Sequence, residues 1–189
     1  MGGVRQPLDT PVVYMVQQEV SVDRIVTLID RINSGIGKLF AWLFLPLTYT
    51  LVHEVVATKI FSRPTAWAFD VSYMLYGAIF MMGAAYTLAN DGHVRGDMLY
   101  RLWPARVQAS IDLVLYLLVF FPAMVAMLVA GWSYAYYSFS IGERSLQSPF
   151  GPIIWPLKMV IPVTAGLMLL QGVSQVIKCV RCLQRGSWS

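Results

Sequence analysis

Four long apolar runs, separated by short polar islands, limit what this chain can become. They cover about residues 39–57, 66–89, 113–132 and 153–177. A helix needs ~20 apolar residues to cross a hydrocarbon layer ~30 Å thick. Inside lipid every backbone N–H and C=O needs a protein partner, so isolated apolar runs of this length become helices. Composition agrees: 57% of the residues are hydrophobic and 13% charged, with mean hydropathy +0.60, whereas a soluble domain carries ~25% charged residues. The expected fold is an all-α integral membrane protein with four transmembrane helices and an N-terminal amphipathic helix. Residues 1–20 read as a flexible N-terminus, 21–37 as the amphipathic interfacial helix, 38–178 as the four-helix membrane domain and 179–189 as a tail.

Ser21 is a helix-capping residue and Asp23 suits a first turn. Ile25, Leu28, Ile29, Ile32, Ile36 and Leu39 then recur at helical spacing, with Asp23, Arg24, Thr27, Asp30, Arg31 and Ser34 opposite. Such a helix either lies at the membrane interface or extends the first span into water. Lys38 precedes the first span, and Pro46 predicts a kink because it removes a backbone donor. Glu54 falls ~22 Å beyond Leu39, near the far edge of the hydrocarbon. It is a candidate proton or ion site; the favoured reading is an interfacial carboxylate paired with Lys59 or Arg63.

Ser62-Arg63-Pro64-Thr65 reads as a turn. Asp70 then stands in the first turns of the second span, where the helix dipole favours a carboxylate. Asp70, Gly77 and Ala84 fall seven apart, a small-residue face suited to close helix contact within this chain or with another. Asn90-Asp91-Gly92 is a helix-stop signal. The polar island that follows holds His93, Arg95, Asp97, Arg101 and Arg106, with a short helix expected over 97–102 and Pro104 opening the next helix. Asp112 stands at the start of the third span, and Pro122 predicts a kink. Trp132, Tyr134, Tyr136 and Tyr137 form an aromatic belt. In the fourth span Lys158 is placed to snorkel to the interface. Gln171 and Gln175, at i and i+4, are placed to bond a neighbouring helix.

Ten basic residues fall before the first span, in the central island or after the fourth span; Lys59, Arg63, Arg144 and Lys158 fall on the other side. The richer side is the cytoplasmic one, so both termini are expected inside and the 142–149 loop outside. The net charge of +4 suits anionic headgroups rather than nucleic acid. The first thirty residues lack a basic stretch followed by an apolar core, so no cleavable leader is expected. Cys179 and Cys182 are half a zinc site at most. They read as a reduced pair, with a disulfide or redox role as the alternative. No nucleophile–base pair, phosphate loop or metal cluster is legible, and no enzyme is expected. His53 and His93 fall ~30 Å apart across the membrane and cannot share one haem iron.

Asp91-Gly92-His93-Val94-Arg95-Gly96-Asp97-Met98-Leu99-Tyr100 resembles the inner-loop signature of the small membrane subunit of TRAP transporters, the DctQ family. Gly142-Glu143-Arg144-Ser145 with Ser148-Pro149, Trp155-Pro156 with Lys158, and Leu169-Leu170-Gln171-Gly172 are similar to its downstream pattern. Arg63-Pro64 through Asp70 resembles the segment opening its second helix. The family more often has Glu where Asp70 stands and Val where Gly96 stands. The resemblance spans about Lys38 to Lys178.

It implies a multi-pass subunit of a bacterial or archaeal cytoplasmic membrane. Its partners would be a large membrane subunit and a periplasmic substrate-binding protein, importing carboxylates or related anions. The resemblance implies no cofactor on this chain, with sodium held by the large subunit. Asp70, His93, Arg95, Asp97, Arg101, Asp112 and Gln171 are candidates for subunit docking or structure. Glu143, Arg144, Ser145 and Lys158 are candidates for facing the binding protein. In the central island, Arg95 and Asp97 are expected to pair with each other or with Asp112 or Arg106. The runner-up function is a membrane anchor or electron-transfer subunit binding haem or quinone.

Overall fold

A computed structural model describes residues 10–90 and 103–186, with side chains from residue 23 onward. It consists of helices α1 (Thr10–Ala41), α2 (Phe44–Lys59), α3 (Ala68–Ala89), α4 (Ala105–Leu115), α5 (Phe121–Ser140) and α6 (Trp155–Arg185), with a π-helical turn over Tyr116–Phe120. The helical stretches 23–59, 68–89, 105–140 and 155–185 are each long and apolar enough to cross a membrane.

The prolines act upstream of themselves. Pro46 cannot donate to the carbonyl of Trp42, and the chain breaks there rather than at the proline. Trp42, Leu43 and Leu45 donate to carbonyls three residues back, at 3.2, 3.0 and 3.2 Å, and α2 starts at Phe44. Pro122 likewise leaves the carbonyl of Leu118 without its ordinary donor. Here the helix widens instead of breaking: the N–H of Phe121 bonds the carbonyl of Tyr116, five residues back. Pro162 leaves α6 continuous. Gly131 of α5 lies against it, where an added Cβ would meet Ile161 at 2.9 Å.

The buried core is small and sits where α3 meets α6. Ala85, Leu88 and Met168 are packed with Phe120 and Met124 around them. Gly77 faces Leu157 of α6, so the small-residue face of α3 serves packing within this chain. Segment 23–41 of α1 packs on α3 and α6 and runs into the break at Trp42-Leu43. Asp30 and Asn33, on that helix, are turned to α6, while Ile25, Leu28, Ile32 and Leu39 stay exposed. Val26 is buried on the same helix and Arg24, Thr27, Arg31 and Lys38 are exposed, so the inward turn belongs to Asp30 and Asn33, which find hydrogen-bond partners on α6.

Candidate functional site

Two polar clusters sit at opposite ends of the bundle. The first is built on the loop between α5 and α6. Gly142, at φ +60, takes the left-handed conformation that ends a helix, and the N–H of Glu143 returns to the carbonyl of Ser138 at 3.0 Å. The chain then doubles back. Ser145 N–H bonds the carbonyl of Pro152 at 2.9 Å, and Ile154 N–H that of Glu143 at 3.2 Å. This short ladder holds Glu143 over the first turn of α6, and Lys158 Nζ reaches its Oε2 at 2.5 Å.

Lys158 does not snorkel. It is 8% exposed, with Nζ also 3.8 Å from the centre of the Tyr134 ring. A carboxylate and an aromatic face within reach of the stem replace the water that the ammonium would otherwise seek. The hydrogen bond from Lys158, with its positive charge, holds the Glu143 carboxyl below the ordinary glutamate range.

Asp70 closes the same loop from beneath. It is 2% exposed. Its Oδ1 accepts the Ser145 hydroxyl at 2.6 Å, and its Oδ2 accepts the Ser148 hydroxyl. Each serine oxygen in turn accepts a backbone N–H two residues on, from Gln147 and Phe150, both at 3.2 Å. The carboxylate therefore ties down both sides of Leu146-Gln147, and Leu146 projects 99% exposed. Arg144 points outward, its guanidinium donating to the carbonyl of Gly151 at 3.2 Å. Glu143, Ser145 and Lys158 thus belong to one cluster with Asp70, and Arg144 lies on its rim.

The second cluster joins α1 to α6. Gln171 is fully buried. Its Nε2 donates to Asp30 Oδ1 at 2.7 Å, and its Oε1 accepts from Asn33 Nδ2 at 2.7 Å. Ser174 donates to the same Asp30 oxygen at 3.0 Å, and Lys178 pairs with the other at 3.0 Å. Arg181 pairs with Asp23 one turn further out. Gln175 donates to the carbonyl of Leu88 on α3 at 3.4 Å. Asp30, Asn33, Ser174 and Lys178 were not singled out from sequence. Residues 171, 174 and 178 share one helical stripe, as do 30 and 33, and that spacing was the available signal.

Glu54 departs from its expected pairing. Its carboxylate accepts Thr58 Oγ1 at 3.1 Å and the Thr65 N–H and hydroxyl, rather than Lys59 or Arg63. Thr65 is fixed beside it by the turn in which Ser62 takes φ 51. His53 lies between Tyr49 and Trp67, with ring centres 5.9 and 5.4 Å away. Asp112 is half-buried two turns into α4. His93, Arg95, Asp97 and Arg101 lie outside the described residues. Cys179 and Cys182 are buried on α6 and form no disulfide. Among the described residues no three His, Cys, Asp or Glu side chains gather as a metal site.

What these clusters do is hold helices and a loop in place. With four membrane-length helices they define a multi-pass membrane protein in which Asp30, Asp70, Glu143, Lys158 and Lys178 bond within the chain. The family model of the DctQ component of tripartite ATP-independent periplasmic transporters matches residues 47–182. The chain belongs to that family and is a small membrane subunit of a TRAP transporter, a component of a transporter rather than of an enzyme class. The match gives no support to the electron-transfer alternative. No curated protein matches the chain.

Proposed function

We propose that this chain is the fixed scaffold subunit of a sodium-driven TRAP transporter importing carboxylates or related organic anions. It works beside a large permease subunit and a periplasmic binding protein. Both termini lie in the cytoplasm, and the Asp70–Lys158 cluster faces the periplasm, where its loop meets the binding protein. Sodium binds the large subunit.

The observation that carries this reading is where burial falls. The most apolar stretch of the fourth membrane helix has 44% of its residues buried inside the chain; that of the third, within Ala105–Ser140, has none. Val114, Leu118, Val125 and Val129 lie exposed along it. Meanwhile Asp70, Lys158, Asp30 and Gln171 are engaged with partners inside the chain. The break between α1 and α2 is lined by Ala41, Trp42, Phe44 and Leu45, with no carboxylate, amide or hydroxyl side chain, and the carbonyls of Leu39, Phe40 and Trp42 are taken by N–H groups three residues on. A transporter's coupling site places polar groups at a broken helix near mid-membrane. A bundle whose buried Asp70, Lys158 and Gln171 bond within the chain, with one bare helix, suits a scaffold.

The test is reconstitution. Liposomes holding this chain alone should show no sodium-driven uptake, and uptake should appear with the large subunit and the binding protein. Substrate-specific uptake by this chain alone would falsify the scaffold reading. Reporter fusions after Ser62 and Gln147 should read periplasmic and a fusion after Ser189 cytoplasmic; the reverse pattern overturns the orientation.

A further inference from the structure

We propose that the cavity beside the clamped loop is a phospholipid site. It takes the phosphate of an anionic headgroup at its mouth and the first part of an acyl chain between α3 and α6. The cavity measures about 450 Å³, within the range of ~300–1,000 Å³ usual for ligand sites. Its wall is Gly77, Met81, Leu157 and Ile161. On that wall Gly77 and Leu157 approach closely, a Cβ on Gly77 standing 3.2 Å from Leu157.

The mouth is of opposite character. Arg144, Ser145, Lys158 and Glu143 line it. With Asp70 behind Ser145, two cations stand beside two carboxylates, and Arg144 is the cation that no carboxylate among the described residues engages. Lys158 is engaged by Glu143 at 2.5 Å. The guanidinium of Arg144 is exposed and bonds the carbonyl of Gly151; a guanidinium has five donors in a fork that fits phosphate oxygens. Tyr73 and Tyr134, each about half exposed, line the same cavity, Tyr134 with its ring centre 3.8 Å from Lys158 Nζ. Tyrosines prefer the depth of the membrane–water interface. Cationic above that level and apolar below it is the order of groups along a phospholipid standing in its leaflet. A free phosphate would leave the apolar wall unused, so the headgroup source of the anion is favoured.

Native mass spectrometry of the full chain tests this, with phosphatidylglycerol, phosphatidylethanolamine or inorganic phosphate offered separately. One phosphatidylglycerol should be retained in preference to phosphatidylethanolamine. Arg144→Gln should lower that retention about fivefold, the worth of one basic group at an anionic lipid surface. Met81→Trp should fill the wall and lower retention of both lipids. Arg63→Gln, at the same end of the bundle but outside the cavity, should change nothing. Equal retention by wild type and both cavity variants would mean lipid held non-specifically around the bundle, and the site would be rejected. Retention of inorganic phosphate with no preference between lipids would reject it too. Should Met81→Trp fail to fold, Arg144→Gln, at an exposed position, still decides the matter.

Discussion

The carboxylate of Asp70 accepts the hydroxyl of Ser145 at 2.6 Å, joining the first turn of α3 to a loop 75 residues further along the chain. The same carboxylate holds Ser148. Asp70→Ala removes the acceptor and leaves two hydroxyls turned towards a buried gap, costing about 1–3 kcal/mol. Asp70→Asn, whose single carbonyl oxygen can replace only part of the carboxylate, should fall between. Thermal unfolding in detergent measures the loss, and trypsin cleavage at Arg144 should quicken in the same order. An alanine variant that melts and is cleaved like wild type would show that the clamp carries no weight.

The four spans, the disturbance of the helix near Pro46 and Pro122 and the helix-bonding role of Gln171 were legible because apolar length, proline and a buried amide are local signals. The exact partners were not. Asp70 reads in sequence as a carboxylate at a helix N-terminus, which it is, but its serines lie far along the chain and only the fold brings them near. Lys158 reads as a snorkelling lysine because Glu143 lies on a separate segment whose return is set by Gly142 and the Ser145–Pro152 bond. Asp30 reads as a water-facing residue of an amphipathic helix. Its true direction depends on Gln171, Ser174 and Lys178, 141 to 148 residues away. The position of the break before Pro46 was likewise unreadable, since either the turn before the proline or the proline's own turn can absorb the missing donor.

Two glycines on α1 make opposite predictions. A Cβ on Gly37 would lie 2.4 Å from the Cβ of Tyr86, while one on Gly35 would have nothing within 4 Å. Tyr86 Cβ sits at the root of its side chain and cannot swing aside, so Gly37→Ala forces α1 from α3, an overpacking cost of about 1–3 kcal/mol. Gly35→Ala removes a flexible residue from an open helix face and should stabilise by about 0.5–1 kcal/mol. Thermal unfolding of the two variants should therefore shift in opposite directions. A shift of the same sign in both would show that α1 does not approach α3 this closely.

The Glu143–Lys158 pair predicts a pH dependence. The folded carboxyl titrates below its ordinary value of 4.5 because Lys158 donates a hydrogen bond to it. Its contribution to stability is therefore fully present above that ordinary value and is lost as pH falls through the lower folded value. Wild type should melt above Glu143→Gln at neutral pH, and the gap should close on acidification below the ordinary glutamate range. A gap that persists unchanged to the lowest accessible pH would mean that the variant acts through shape rather than charge.

The staple between α1 and α6 is predicted to hold the N-terminal helix on the bundle. Asp30 receives Gln171, Ser174 and Lys178, and Gln171 also receives Asn33. Gln171→Leu keeps the volume roughly constant but removes two bonds and orphans part of both α1 side chains. Interhelical hydrogen bonds in membranes average about 0.6 kcal/mol and reach about 1.7, so a loss of ~1–3 kcal/mol is expected for the pair. The local signature is faster hydrogen exchange over residues 23–41 with little change in α5, which shares no bond with the cluster. The ion pair can be separated from the amide by a double-mutant cycle of Asp30→Asn and Lys178→Met. Groups in direct contact couple by about 0.5–3 kcal/mol, and coupling near the lower end is expected because both side chains are more than a quarter exposed. If Gln171→Leu leaves exchange in 23–41 unchanged, α1 is held by its contacts with α3, and Gly37 rather than Gln171 is the residue that fixes it.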